Sequence, residues 1–512
     1  MSTLSAGQAP SPISSSAVDI ATRGALALIG LMLVWRLVLA AFVPLVPDEA
    51  YYALWAQGLS AGYVDHPPMI AFFIRAGQML LGDTPLGVRL FSVLAALPAS
   101  WFVWRAAEEL LEDRRAGALA AVLFNATIFG FLGMTLATPD APLALFCAAM
   151  VWCAARLVRA PRPLWWLAMG LATGLAAQSK YSGVMLAGAF SLAVLALAPL
   201  RRQLLTPWPW LAALLALLVF LPNIVWNATH DWATLTKQGG RVTAQAPFRP
   251  GFLPEFVGSQ IGLATPLIFL FAVLGLLPRR AAAAFRPGGG RALVLILLFV
   301  PLAYFAVHAL RSRVEGNWVG FLYPLVAIAA AAGMLAPAGS GWVGRNLPGL
   351  ARATLPLAFG LILALGIHAL FVPTTLAGNK DAVLRMTRGW PEFAAEIDAR
   401  RRAIGASAIL TNDYQMTAML KRELPGVTVQ QFDERQRYAF MDEPEALSLP
   451  GPLLLVLSTF RSFNDITGAF GGREDLGEVS RRFRDVTMPP VRLFRLDPVE
   501  TPAPAATAPP AP

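Results

Sequence analysis

Long apolar runs separated by short polar turns dominate the chain. They fall near residues 22–43, 85–107, 116–134, 140–158, 163–179, 182–199, 208–226, 256–278, 292–310, 317–336 and 351–372. In helical form, about 17–25 apolar residues match the hydrocarbon core of a bilayer. A helix also satisfies its own backbone groups in lipid. The pattern therefore predicts a polytopic α-helical membrane protein with about eleven transmembrane helices. The first run ends at Pro44 and Pro47 with no small-residue cleavage site, so it reads as an uncleaved helix. Residues 1–21 are expected to be a disordered N-terminus, and residues 501–512 a disordered Pro/Ala tail.

Two stretches follow other periods. Ala50, Leu54, Trp55 and Leu59 share one helical face, and so do Ile70, Phe73, Ile74, Gly77 and Leu81. Both stretches lie in a first outer loop, 44–84, and are too short to span comfortably; they predict interfacial helices. Beyond the membrane domain, 22–372, the pattern changes again. Helices are expected over 390–404 and 414–424, with strands at 407–410, 427–432 and 453–457. This predicts a small C-terminal α/β domain over 373–500.

Composition agrees with a membrane chain. Charged residues make up 14% of the 512, and mean hydropathy is +0.57; a soluble protein carries about 25% charge. The net charge of +10 could suggest nucleic acid. However, the excess is arginine in alternate short loops, at Arg105, Arg114 and Arg115, at Arg156, Arg159 and Arg162, and at Arg201 and Arg202. It continues at Arg279, Arg280, Arg286 and Arg291, and at Arg345 and Arg352. The positive-inside rule then puts the N-terminus in the cytoplasm and, with an odd span count, the C-terminal domain in the periplasm. No nucleic-acid partner is implied. Cys147 and Cys153 form no redox or metal motif. Only four lysines occur, Lys180, Lys237, Lys380 and Lys421, in a chain that otherwise uses arginine.

The loops on the other side hold the candidate chemistry. Asp48-Glu49 follows the first apolar run, where a carboxylate is costly unless it works. A helix N-cap at Asp48, with Glu49 facing the dipole, is the structural alternative. In Asp65-His66-Pro67-Pro68, Asp65 suits a turn or cap, and His66 could hydrogen-bond or bind an anion. Metal binding by Asp65 with the distant His230 has no support from spacing. Thr138-Pro139-Asp140 reads equally as helix-start grammar and as another carboxylate at the membrane edge. Lys180, before Tyr181, is either a snorkelling lysine or a phosphate contact. Arg311 and Arg313 could clamp a phosphate, and Asn317-Trp318 closes the same loop. Arg36, in the middle of a span, needs a polar partner or a cavity. Carboxylates beside cations at the outer membrane edge suggest transfer from a lipid-phosphate carrier. A base would take the acceptor's proton, and Arg and Lys would stabilise the departing phosphate. The competing class is a transporter or lipid flippase, against which the lack of a visible internal repeat counts.

Five motifs in order carry a resemblance: Pro-Asp-Glu-Ala-Tyr-Tyr at 47–52, Tyr-Val-Asp-His-Pro-Pro at 63–68, Thr-Pro-Asp-Ala-Pro at 138–142, Ser-Lys-Tyr at 179–181 and Glu-Gly-Asn-Trp at 315–318. Together they resemble bacterial GT-C glycosyltransferases. The nearest subgroup is the lipid A galacturonosyltransferase-like proteins, related to aminoarabinose transferases and protein O-mannosyltransferases. Gly389-Trp390 and Asn412-Asp413-Tyr414-Gln415 are similar to that subgroup's outer domain. The resemblance implies a multi-pass protein of the bacterial inner membrane. It would move a sugar from a polyprenyl-phosphate donor to a lipid or glycan acceptor at the periplasmic face, by a single inverting displacement. It implies Asp48 as catalytic base, Glu49 as its acidic neighbour and Asp140 as a second acidic residue near the acceptor. Lys180, Arg311 and Arg313 would contact the donor phosphate. Tyr52, Asp65, His66, Tyr181, Asn317 and Trp318 complete the implied substrate-binding set. His66 stands where aminoarabinose transferases place a lysine, and Gly316 departs from the proline expected before Asn-Trp. No cofactor is required on this reading, and a divalent metal stays open.

Overall fold

The computed structural model describes residues 15–243, 247–459 and 470–497. The expected Pro/Ala tail and the first fourteen residues of the expected N-terminal tail lie outside the described residues. The first helix, α1, runs Ser15–Phe42 and so starts earlier than the hydropathy run does. Helices α2 (Pro47–Trp55), α3 (Met69–Leu81) and α4 (Pro85–Leu110) follow. Next come α5 (Ala116–Ala126), α6 (Ile128–Leu132), α7 (Asp140–Arg159), α8 (Pro163–Ser179) and α9 (Ser182–Ala196).

Among the described residues, seven helices are long and apolar enough to cross a membrane, and nine if two bent pairs each count as one span. This is fewer than the hydropathy runs suggest, because some runs are broken. Near 116–134, Thr127 ends α5, and its hydroxyl caps α6 by accepting from Gly130 N at 2.9 Å. Helix α8 has 17 residues; at 1.5 Å per residue it is about 25 Å long, short of a hydrocarbon core of about 30 Å. The bent pairs turn by 93° after Ala196 and by 103° after Ala264.

The chain forms two compact units. The first takes in residues up to Val38, Phe91–Val225 and Gly239–Leu363; the second takes in Leu39–Leu90, Trp226–Gln238 and residues from Ala364 onward. In the first, helix Tyr323–Leu335 is buried along almost its whole length. Glycines let its backbone meet helix Pro266–Leu276: a Cβ on Gly333 would sit 2.0 Å from Phe271 O, and one on Gly275 2.0 Å from Ala329 O. Such small-residue contacts are how helices pack closely in lipid. Arg36 finds its partners here, donating to Asn125 Oδ1 at 2.8 Å and to Gly130 O at 2.9 Å. Its guanidinium also lies 4.8 Å from the centre of the Phe131 ring.

The second unit contains a five-stranded sheet of order β2-β1-β3-β5-β4. Its strands are β1 (Ala408–Thr411), β2 (Thr428–Gln431), β3 (Leu453–Ser458), β4 (Gly472–Phe483) and β5 (Val486–Asp497). β1 runs parallel to β2 and β3, whereas β5 runs antiparallel to β3 and β4. Helix Tyr414–Glu423 starts at Asp413, whose carboxylate accepts from Gln415 N and Met416 N. Against it packs α2. The interfacial expectation needs correcting for α2, since all but one of its residues are buried in protein. α3 shows two faces: Ile70, Ala71, Ile74 and Gly77 are buried, while Phe72, Met79 and Leu80 stay exposed, and Leu81, expected on the apolar face, is exposed too.

Candidate active site

In the second unit the acidic pair divides into two roles. Val46 is the N-cap of α2, and Pro47 occupies the first turn. Asp48 is therefore not the cap. Glu49 reaches back instead, accepting from Val46 N at 3.0 Å. It is fully buried, and Arg89 grips both its oxygens, Nε to Oε1 at 2.7 Å and Nη2 to Oε2 at 2.5 Å. Arg89 also donates to Val43 O at 2.6 Å and Pro44 O at 3.0 Å. A buried two-point pair of this kind fixes the chain entering α2. The Glu49 carboxylate is committed to Arg89 and the backbone.

Asp48 points elsewhere, as a neighbour about 100° around the helix must. Its side chain is half-buried. Oδ1 accepts from Tyr414 Oη at 3.0 Å and from Gln415 Nε2 at 2.8 Å. Both donors are neutral, and no cation lies within ion-pair distance of Asp48 among the described residues.

Asp65 sits at the centre of a buried network. Its Oδ2 accepts from Tyr51 Oη at 2.9 Å and Arg437 Nη1 at 2.7 Å, and Lys237 Nζ lies 2.8 Å from Oδ1. Burial pushes the Asp65 carboxyl up, but the charges of Arg437 and Lys237 outweigh it and hold the group below its ordinary value. Burial, reinforced by the charge of Asp65, raises the Tyr51 phenol well above its ordinary value. Arg437 lies 4.0 Å over the Tyr414 ring, which links the Asp65 network to the residue that holds Asp48. Burial and the nearby Asp48 push the Tyr414 phenol up, so Tyr414 stays a donor to Asp48. Tyr52 is buried, and the half-buried His66 ring lies 6.3 Å from it.

The first unit holds a second cluster. Asp140 opens α7 and receives Lys180 Nζ on Oδ1 at 2.8 Å and Asn317 Nδ2 on Oδ2 at 2.8 Å. Three motifs distant in sequence thus meet at one carboxylate, and Lys180 does not snorkel. Tyr181 donates to Asn223 Oδ1 at 2.8 Å. The expected arginine clamp does not form as a pair. Arg313 binds Glu255 at 2.6 Å on the surface, and Arg311 is exposed. Trp318 lies 6.1 Å from the His308 ring. Among the described residues, no three metal-ligating side chains converge. Asp65 is already held by Lys237, Arg437 and Tyr51, while His230 stacks on Trp226 at 4.2 Å.

Several of these residues escape sequence reasoning. Arg89 and Arg437 carry no local signal, and Tyr51 stands in the 47–52 motif without an assigned task. Lys237 carries one, as a lysine in an arginine-using chain. Tyr414 and Gln415 stand in a motif that assigns them no task.

A family model for dolichyl-phosphate-mannose-protein mannosyltransferases matches residues 65–226. Lipid A galacturonosyltransferase RgtD of Rhizobium johnstonii is 27% identical over 408 residues, covering 78% of this chain and 81% of that protein. Undecaprenyl phosphate-alpha-4-amino-4-deoxy-L-arabinose arabinosyl transferase 1 of Sodalis glossinidius is 28% identical over 340 residues, covering 60% of this chain and 58% of that protein. The crystal structure of ArnT from Cupriavidus metallidurans bound to undecaprenyl phosphate superposes with a TM-score of 0.62 at 16% identity, covering 93% of this chain and 98% of that one. The fold is the GT-C fold. Over most of its length the chain is similar to a membrane glycosyltransferase, and it shares its fold with ArnT.

Proposed function

We propose that this chain transfers a sugar from a polyprenyl-phosphate donor to a lipid acceptor, with lipid A the best-supported acceptor. The names of the relatives support both substrate classes. Asp48 is the general base, and Tyr414 and Gln415 orient it. The observation that carries this role is a contrast among four carboxylates. Glu49, Asp65 and Asp140 each hold a cation, whereas Asp48 is half-exposed and held through one oxygen by neutral donors. A base must present a lone pair to the acceptor hydroxyl, and Oδ2 of Asp48 accepts no hydrogen bond among the described residues. Attack on the anomeric carbon then inverts it as the polyprenyl phosphate leaves.

Glu49 is a positioning residue for the base. Asp140, Lys180 and Asn317 form the donor-phosphate cluster, in which Asp140 orients the ammonium that stabilises the leaving group. Tyr52, Asp65, His66 and Tyr181 support substrate binding from their own elements. Arg311, Arg313 and Trp318 line an outer loop that meets the headgroup region. The arginine-rich alternate loops support a cytoplasmic N-terminus and a periplasmic C-terminal domain beginning near residue 373.

Mass spectrometry of lipid-linked intermediates and envelope glycolipids, with and without the protein, tests the reaction class. Transfer predicts a polyprenyl-phosphate sugar that accumulates and a glycolipid that loses the same sugar when the protein is absent. A carrier that only changes leaflet, with glycolipids unaltered in reconstituted vesicles, would instead mark a flippase.

A further inference from the structure

A cavity of about 950 Å³ opens in the second unit beside the Asp65 network. Three segments wall it: 58–64, 226–237 and 433–440. Asp48 is not part of its lining. Cavities of about 300–1,000 Å³ with a few convergent polar groups are the usual form of small-molecule sites.

The chemistry of the wall restricts the occupant. Three carboxylates, Asp231, Asp433 and Glu434, face three cations, Lys237, Arg435 and Arg437. Lys237 and Arg437 are balanced within the wall and beneath it: Lys237 by Asp65 at 2.8 Å, and Arg437 by Asp65 at 2.7 Å and Glu434 at 3.0 Å. An anion entering here would meet carboxylates, and a cation would meet Arg and Lys. A neutral ligand rich in hydroxyls meets complementary partners on every side, because a hydroxyl both donates and accepts. Aromatic rings supply the rest. Trp226 and the half-buried Phe440 add aromatic surface to the same wall, suited to the C–H faces of a pyranose ring. The turn that brings Asp231 to the cavity is itself unusual. Asp231 and Trp232 both adopt a left-handed backbone at φ 53, which a bulky residue rarely does. Trp232 N is held there by Asn227 O at 2.8 Å. Arg437 then joins the cavity to the base, since it lies over Tyr414, whose hydroxyl holds Asp48.

We propose that this cavity is a saccharide subsite that binds the sugar portion of the acceptor glycolipid. The proposal rests on the glycosyltransfer reading above and deepens it. The acceptor would be recognised through its sugars on the Asp231–Lys237 and Asp433–Phe440 walls as well as through its lipid.

Thr236 and Gln436 line the cavity, are exposed and take no part in the Asp48 or Asp65 networks. Thr236→Trp and Gln436→Trp fill the space without touching the core. With the full-length protein in detergent, each raises the acceptor KM about tenfold or more and leaves kcat within about twofold. Saturation-transfer NMR with the dephosphorylated headgroup disaccharide of lipid A, N-acetylated so that it carries neutral sugars and no tails, shows contact with the wild type and loses it in both variants. Unchanged acceptor KM together with retained saccharide contact in the filled variants overturns the subsite. Saccharide contact that responds to filling, in a protein that transfers nothing to lipid A, would leave the subsite standing and remove lipid A as the acceptor.

Discussion

At the residue scale, neighbouring carboxylates do different things because a helix turns them apart. Asp48 and Glu49 are adjacent in sequence, yet one meets Tyr414 and Gln415 and the other meets Arg89. The acidic motif is legible in the sequence; the division of labour is not, since Arg89 lies forty residues on and nothing local marks it. Arg89→Ala leaves Glu49 buried and uncompensated, which costs about 3–5 kcal/mol. Thermal unfolding in detergent should show that loss, with the double variant Glu49→Gln/Arg89→Met recovering part of it. Asp65 sets a pH dependence. Its folded pKa lies below the unfolded value of about 3.9, so it contributes stability above that value and loses it as pH falls toward the folded one. Acid unfolding followed by tryptophan fluorescence should show a stability loss beginning near about pH 4. Asp65→Asn should lower stability at neutral pH and flatten that acid limb.

Elements are legible in the sequence where apolar periodicity is strong and unbroken. The helix at 390–404 and the strand at 453–457 fall within a residue or so of Trp390–Ala403 and Leu453–Ser458. Two kinds of element are not. Breaks inside apolar runs leave hydropathy unchanged, so Thr127, Leu197 and Thr265 split or bend helices without a hydropathy signal, although Pro199 and Pro266 mark the last two. The β4–β5 hairpin escapes a hydropathy reading because β4 is largely polar, with half its residues exposed, and is interrupted by Gly477 at φ 84. The close approach of Tyr323–Leu335 and Pro266–Leu276 gives a test at this scale. Gly333→Val puts a side chain where Phe271 O already lies, and overpacking of this kind costs about 1–3 kcal/mol or more. A lower melting temperature should result, whereas Gly24→Ala, with nothing within 4 Å of its Cβ, should be near neutral.

For the whole molecule, charge placement supports the proposed orientation, and similarity to glycosyltransferases in sequence supports the proposed reaction class. The alternating arginine loops stand out in the sequence itself, because charge in a short loop needs no tertiary contact to be seen. The Asp140–Lys180–Asn317 cluster is legible there only as three separate motifs, because its members come together through contacts 40 and 177 residues apart. Orientation is testable by single-cysteine labelling in intact cells: a reporter at Gln57 should react with a membrane-impermeant maleimide, and one at Arg202 should react only after lysis. The central claim is that Asp48 is the base for lipid-linked sugar transfer. It is tested most directly by single-turnover transfer from a polyprenyl-phosphate donor to lipid A, comparing purified wild-type protein with Asp48→Asn. The account predicts a loss of about a hundredfold or more, with melting temperature and donor binding unchanged. Transfer by Asp48→Asn within about twofold of wild type would contradict it.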